Sequence, residues 1–288
     1  MNLKKDTLFS LLIANYNNGK FIAETIESIE KQSYKNIEII IVDDASTDNS
    51  ISIINNLRDS ISNIKLYQNL KNKGCGYTKD RCVKEAAGEI CGFVDPEDKL
   101  SHNAIELMVL EHKKLVNASI IFSNYYHCNE DLDIIRLKKP NFKEGKINSS
   151  QLYDRIISHF STFKTSSYFN TKGINIDLPR AVDQDLYIKL EEVGDVFYLN
   201  QNLYFYRYHE KGISAYDNNF KALYWDFIVK REACIRRDIE QEEFFSKEFE
   251  KLSNIYKDSK DFRLGNVLLG PCRRVYSRIL KLRNKLKR

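Results

Sequence analysis

The stretch Ile37-Glu38-Ile39-Ile40-Ile41-Val42-Asp43-Asp44-Ala45-Ser46-Thr47-Asp48 decides the fold. Its run of β-branched apolar residues is too short for a globular helix and reads as a strand buried on both faces, and it breaks abruptly into two carboxylates followed by Ser, Thr and Asp. In an open parallel sheet, ligands bind in the crevice beyond the carboxyl ends of the strands, so Asp43 and Asp44 stand where a site is expected.

Outward from this strand, Leu8 to Ile13 is a second buried run that ends in the loop Ala14-Asn15-Tyr16-Asn17-Asn18-Gly19, and Ile22, Ile26 and Ile29 then recur at helical spacing. Strand, helix and strand make a βαβ unit with a right-handed crossover. Ser46 or Asp48 suits the cap of a helix carrying Ile51, Ile54 and Leu57, and Ile64 to Tyr67 alternates as a strand. Asn72-Lys73-Gly74-Cys75-Gly76 is turn-rich, and the helix after it, about 77–87, meets a C-cap at Gly88. Glu89 to Val94 is the next strand, and it too breaks into acids, Asp95-Pro96-Glu97-Asp98. The pattern predicts an α/β fold, a mostly parallel central sheet flanked by helices, with Asp44, Asp95 and Asp98 sharing one hollow.

Further on, the sequence predicts a helix near 101–115, a strand over 118–126, a helix over 150–160 and strand and turn over 162–173. A helix from about 181 carries Asp183 and Asp185 in its first turn. β structure follows over 196–209, and a charged helical extension covers 216–260. Residues 127–146 are polar and give no periodic signal.

Across 288 residues, 42% apolar content supplies a core, and no window approaches the roughly 18 uninterrupted apolar residues of a membrane span. Met1 to Lys5 leads straight towards a strand without a signal-peptide pattern, which predicts a cytoplasmic protein. Six cysteines without a Cys-x-x-Cys pair fit reduced thiols rather than a zinc site. Of the net charge of +5, residues 261–288 hold +8 and the rest −3, so the body is no general polyanion or nucleic-acid binder. In that tail Cys272, Val275, Ile279, Leu282 and Leu286 fall on one helical face and basic residues fill the rest, a pattern suited to an anionic membrane surface. A solvated basic C-terminus or a partner helix is the alternative.

Carboxylates at strand ends serve either as helix caps or as a site for a hard cation. Mg²⁺ or Mn²⁺ takes oxygen ligands, commonly one or two carboxylates plus substrate phosphates. Asp95-Pro96-Glu97-Asp98 also satisfies the rules for a capped helix start. Lys99 is the one basic residue beside either acid group in sequence, and buried acids left uncompensated are costly unless a cation or hydrogen-bonding ligand joins them.

Taken in order, Ile13-Ala14-Asn15-Tyr16-Asn17, Ile41-Val42-Asp43-Asp44-Ala45-Ser46-Thr47-Asp48, Asn72-Lys73-Gly74-Cys75-Gly76, Ala87-Gly88-Glu89, Phe93-Val94-Asp95-Pro96-Glu97-Asp98, Asp183-Gln184-Asp185-Leu186 and Tyr206-Arg207-Tyr208-His209 resemble the motifs of family-2 glycosyltransferases of the GT-A fold. The resemblance covers about 7–215. It implies a catalytic domain over 1–215, with a nucleotide-binding half to about 126 and an acceptor half beyond.

The resemblance further implies a site. Ala14, Asn15, Tyr16, Asn17, Asp43 and Asp44 would form the pocket for base and ribose. Lys79, where the family usually has Arg, would meet base or diphosphate as a point charge. Asp95 would approach the ribose or the metal, with Glu97 or Asp98 holding Mn²⁺ or Mg²⁺. Glu97 stands where the family has a second Asp. Val182-Asp183 replaces a Glu-Asp pair, so the role of acceptor base falls to Asp183, with Asp185 as substitute; an i,i+4 pair with Lys189 is the other reading of Asp185. Arg207 would clamp the diphosphate, and His209 would touch metal or phosphate.

The implied activity is inverting transfer of a sugar from a nucleotide-diphospho-sugar, most often UDP-linked, to a saccharide or lipid-linked acceptor. It fits cell-surface polysaccharide or glycoconjugate synthesis, with the protein peripheral on the inner face of the membrane. The rivals are a nucleotidyltransferase, which would need a Gly-rich basic phosphate loop that Ala14 to Lys20 lacks, and a non-catalytic nucleotide-sugar or membrane-binding module. An NAD-dependent oxidoreductase is a weaker rival still, since no Gly-x-Gly-x-x-Gly follows the first strand.

Overall fold

A computed structural model describes residues 6–148, 155–209 and 219–240, with Phe244, Ser246 and Glu250. Strand β1 (Phe9–Asn15) leads through α1 (Ile22–Glu30) to β2 (Ile37–Asp43), whose seven residues are all buried. Helix α2 (Ser50–Arg58), β3 (Ile64–Gln68), α3 (Cys75–Glu85) and β4 (Ile90–Phe93) follow. Strand β5 (Lys99–Leu100), α4 (Ala104–Lys114), β6 (Ala118–Cys128), β7 (Ile134–Lys138) and β8 (Gly145–Lys146) continue the chain. Then come β9 (Ser161–Lys164), α5 (Thr165–Phe169), α6 (Val182–Glu191), β10 (Asp195–Arg207) and α7 (Asn219–Arg236).

The strands form one mixed sheet in the order β3-β2-β1-β4-β9-β6-β10-β5, with β7 added to β6 and β8 to β10. Strands β3, β2, β1 and β4 run parallel. β9 is antiparallel to both β4 and β6, and β10 is parallel to β6. Six strands therefore point the same way, and their carboxyl ends share one edge of the sheet. Ile22, Ile26 and Ile29 of α1 and Ile39 and Ile41 of β2 enter the same core at 0–1% exposure. Truncating any of these to Ala would cost roughly 2–5 kcal/mol.

Glu38 is the one charged residue between Ile37 and Val42 of β2, and it is buried for a reason. Its carboxylate accepts hydrogen bonds from Ser10 Oγ at 2.5 Å, Lys65 Nζ at 2.7 Å and the backbone N–H groups of Ala87 at 2.6 Å and Gly88 at 3.0 Å. Gly88 is fixed by this approach: a Cβ there would meet Ser10 Oγ at 2.4 Å and Leu8 O at 2.9 Å.

Of the helix expected over 150–160, residues 155–160 are not helical. Phe160 instead exchanges hydrogen bonds with Ser123 of β6, extending the pairing of β9 with that strand, and Ile157 and Phe160 are buried in irregular chain. The unassigned stretch 127–146 holds two short antiparallel strands, β7 and β8. The chain divides into two compact units, residues 1–233 and 234–288. The basic tail 261–288 lies outside the described residues, as does Cys272; the other five cysteines are free thiols. Among the described residues no helix is long and apolar enough to cross a membrane.

Candidate active site

At the carboxyl edge of the sheet a cleft of about 790 Å³ is lined by the β1 loop, Asp44, the start of α3, Asp95 to Glu97, His159, the segment 179–183, Tyr206 and His209. Each part arrives from a different strand end or helix start.

The left wall is a braced pair of loops. Asp43 takes Asn15 Nδ2 at 2.7 Å, Ser46 Oγ at 2.6 Å and Ser46 N at 2.8 Å, which ties the ends of β1 and β2 and turns Asp43 away from the cleft. Asn17 Oδ1 accepts from the N–H groups of Thr47 at 2.7 Å and Asp48 at 3.3 Å. Tyr16 is left 45% exposed at the cleft wall, with Ala14 and Asn15 beneath it. Asp44, 3% exposed, accepts from Asn69 Nδ2 at 2.7 Å and from the backbone N–H groups of Lys73 and Gly74, each at 2.8 Å. Its carboxylate thus shapes the Asn72 to Gly74 loop, where Gly74 has φ +88°, while an edge of Asp44 stays on the cleft.

The floor is ionic. Lys79 Nζ, projecting from α3, lies 2.7 Å from Asp183 Oδ1 and 3.4 Å from Asp95 Oδ1. The compensating cation that sequence neighbours did not supply therefore comes from across the fold. Burial pushes the Asp95 carboxyl up, but Lys79 and His159 beside it hold it below the usual aspartate range. Asp183 reaches the cleft because Ala181, at φ +57°, turns the chain sharply into the first turn of α6.

The acids of Asp95-Pro96-Glu97-Asp98 part company in a turn closed by Asp98 N–H to Asp95 O at 3.0 Å. Asp95 and Glu97 line the cleft. Asp98 is fully buried beneath it, accepting from Tyr204 Oη at 2.6 Å and Arg207 N at 2.7 Å, and burial together with the charges of Asp95 and Glu97 pushes its carboxyl well up. Of the three acids expected in one hollow, Asp44 and Asp95 share it and Asp98 does not line it.

Arg207 is 4% exposed and also off the cleft lining. Its guanidinium donates to Glu97 O at 2.6 Å, Glu24 Oε2 at 2.5 Å and Glu130 O, and it lies over the Phe21 ring. It thereby fixes the backbone that presents Glu97. Asp185 is 3% exposed and pairs with Lys189 at 2.7 Å as well as accepting from Asn175 N at 2.9 Å. That pair is interior, not on an exposed face, and it holds the loop leading to Asp183.

His209 completes the wall opposite Asp44's loop. Its ring packs on Phe21, and its Nε2 lies 3.7 Å from Glu97 Oε1, buried and without a hydrogen-bond partner. A buried imidazole nitrogen left unpaired beside a carboxylate suits a divalent cation, which neutral imidazole and carboxylate both ligate. Among the described residues no three His, Cys, Asp or Glu side chains stand together as a metal-binding group. The protein donors here are the Glu97 and His209 pair, and phosphates of a bound donor would have to supply the remaining ligands.

His159 went unassigned from sequence, since nothing near it in the chain marks it. Its ring stacks on Tyr204 at 4.8 Å and on Tyr206 at 5.5 Å and lines the cleft close to Asp95, and burial holds its imidazole below the ordinary histidine range. The alternation of Tyr204 and Tyr206 in β10 was the one available sign of an aromatic bed there.

The profile of Glycosyl transferase family 2 matches residues 10–171. A chondroitin synthase of Escherichia coli is 29% identical over 204 residues, covering 70% of this chain and 29% of its own length. A hyaluronan synthase of Pasteurella multocida is 28% identical over 205 residues, covering 70% of this chain and 21% of its own. The chain thus spans less than a third of either synthase. Among solved structures, S. aureus TarS 1-349 in complex with UDP superposes with a TM-score of 0.65 at 20% identity, covering 91% of this chain and 75% of that one, a likeness of fold.

Proposed function

Because the chain belongs to glycosyl transferase family 2 and has the GT-A fold, we propose that it moves a sugar from a nucleotide-diphospho-sugar, UDP-linked, to an acceptor hydroxyl with inversion. The observation that carries this reading is the meeting of Asp95 and Asp183, from opposite ends of the domain, on one cation in one cleft. Asp183 acts as general base: it takes the proton of the acceptor hydroxyl as that oxygen attacks the anomeric carbon from the face opposite the diphosphate. The bond from the anomeric carbon to the diphosphate oxygen breaks, and its electron pair leaves with the nucleoside diphosphate. The Tyr16 wall and the edge of Asp44 receive base and ribose.

Glu97 and His209, together with phosphate oxygens of the donor, would hold Mn²⁺ or Mg²⁺, which when bound supplies positive charge against that growing on the leaving diphosphate. The acceptor we propose is a saccharide or a lipid-linked saccharide of cell-surface polysaccharide synthesis. The basic residues of 261–288 would draw the protein to the anionic inner face of the membrane.

The test is to incubate the full chain with UDP-glucose, UDP-galactose, UDP-N-acetylglucosamine and UDP-glucuronic acid, with Mn²⁺ and then with chelator, and follow released UDP. Mn²⁺-dependent release from one of them is expected. No release of UDP from any of them would sink the reading.

A further inference from the structure

Lys79 occupies a place that leaves it little freedom to serve a ligand. Its side chain is 7% exposed and lies over the Phe93 ring, with its ammonium 2.7 Å from Asp183 Oδ1 and 3.4 Å from Asp95 Oδ1. Burial alone would push its amine down, yet the charges of Asp183 and Asp95 hold it well above the usual lysine range. The other groups facing this cluster are Cys75 from the start of α3, His159 from the segment before β9, Tyr187 one turn further along α6, and Arg180 just before it. Cys75 and Tyr187 are kept neutral by burial, with thiol and phenol both raised. The shortest contact Lys79 makes is thus to the acceptor-side acid, not towards the loops that would take the nucleotide.

A base held by a third group is the recurring pattern of activated sites, because a carboxylate free to rotate presents the wrong oxygen much of the time. We propose that Lys79 is the positioning residue of Asp183: by holding Oδ1 it leaves Oδ2 for the acceptor's proton, and it is not a ligand of the donor diphosphate. The assignment rests on the transferase reading above.

The experiment measures UDP affinity by calorimetry and turnover of the most active UDP-sugar of the panel, for the full chain and for Lys79→Met, Lys79→Arg, Asp183→Asn and the double variant Lys79→Met with Asp183→Asn. Lys79→Met is expected to lower kcat about 10- to 100-fold while UDP affinity stays within about two-fold. Lys79→Arg, keeping the charge, is expected to recover most of the loss. Adding Lys79→Met to Asp183→Asn is expected to cost nothing more, which a merely destabilising change would not reproduce. Lys79→Gln reads the same quantities if Lys79→Met fails to fold. A loss of UDP affinity of ten-fold or more in Lys79→Met, or losses that multiply in the double variant, overturns the proposal. A wild-type chain that binds UDP yet releases none from any sugar nucleotide sinks the transferase reading alone; UDP affinity in Lys79→Met then still decides the placement of Lys79, against it if weakened ten-fold and for it if unchanged.

Discussion

Arg207 Nη2 stands 2.5 Å from Glu24 Oε2, so the last residue of β10 is tied to the first turn of α1 across 183 positions of sequence. The same guanidinium holds Glu97 O, and Lys99 reaches Glu24 from the other side at 3.0 Å. Removing it strands polar groups that it now satisfies. Arg207→Met should therefore lose about 2–4 kcal/mol in urea unfolding and raise the Mn²⁺ concentration needed for half-maximal activity, because Glu97 loses its anchor. Unchanged stability would show that the network contributes nothing.

Asp183→Asn keeps the size of the side chain and its bond to Lys79 while removing the proton acceptor. Turnover should fall by about 10²- to 10⁴-fold, with UDP affinity little altered. Near-wild-type turnover would remove Asp183 from the role of base.

His209→Ala removes the unpaired nitrogen beside Glu97 and should weaken Mn²⁺ binding in the presence of UDP by about ten-fold or more, read by calorimetric titration of the metal. UDP binding without metal should hardly change. If the metal titration of the variant overlays that of wild type, the imidazole is not a ligand.

Glu38 gives a pH signature away from the site. Burial raises its carboxyl, but the Lys65, Ser10 and Ala87 hydrogen bonds outweigh this and hold it below the usual glutamate range. A depressed acid contributes stability that is complete above its unfolded value, near about 4.3, and is lost as pH falls through the lower folded value. Glu38→Gln should then be less stable by about 2 kcal/mol at pH 7, and the gap should narrow as pH falls below the unfolded value. A gap of constant size across urea titrations at pH 7, 5 and 3 would contradict it.

Much of this architecture is legible because local and global signals agree. The runs Phe9 to Ile13 and Ile37 to Val42 are apolar at every position except Ser10 and Glu38, which fits strands covered on both faces, and each breaks into residues found at the cleft. Where local signals are silent, the reading stopped. Asp95, Glu97 and Asp98 look equivalent in sequence, and only the turn closed at Asp98 N–H sends one of them into the core. Lys79 and Asp183 are 104 residues apart, and no periodicity announces their ion pair. Residues 155–160 carry helix-compatible spacing, but the segment is irregular and ends with Phe160 paired to Ser123. Arg207 reads as a ligand-facing cation because a buried arginine held by Glu24 and two carbonyls leaves no mark on its neighbours in the chain.

The insertion of β10 between β6 and β5 has a consequence for biogenesis. As the polypeptide leaves the ribosome, the Tyr16 and Asp44 wall emerges more than 100 residues before Arg207 and His209, and the sheet segment that bears it pairs only with early strands. Strand β6 must wait with one edge unsatisfied until its parallel neighbour is synthesised, and pairings over such separations form slowly. Competence for chemistry thus waits until β10 has been made and has docked beside a strand synthesised some 75 residues earlier.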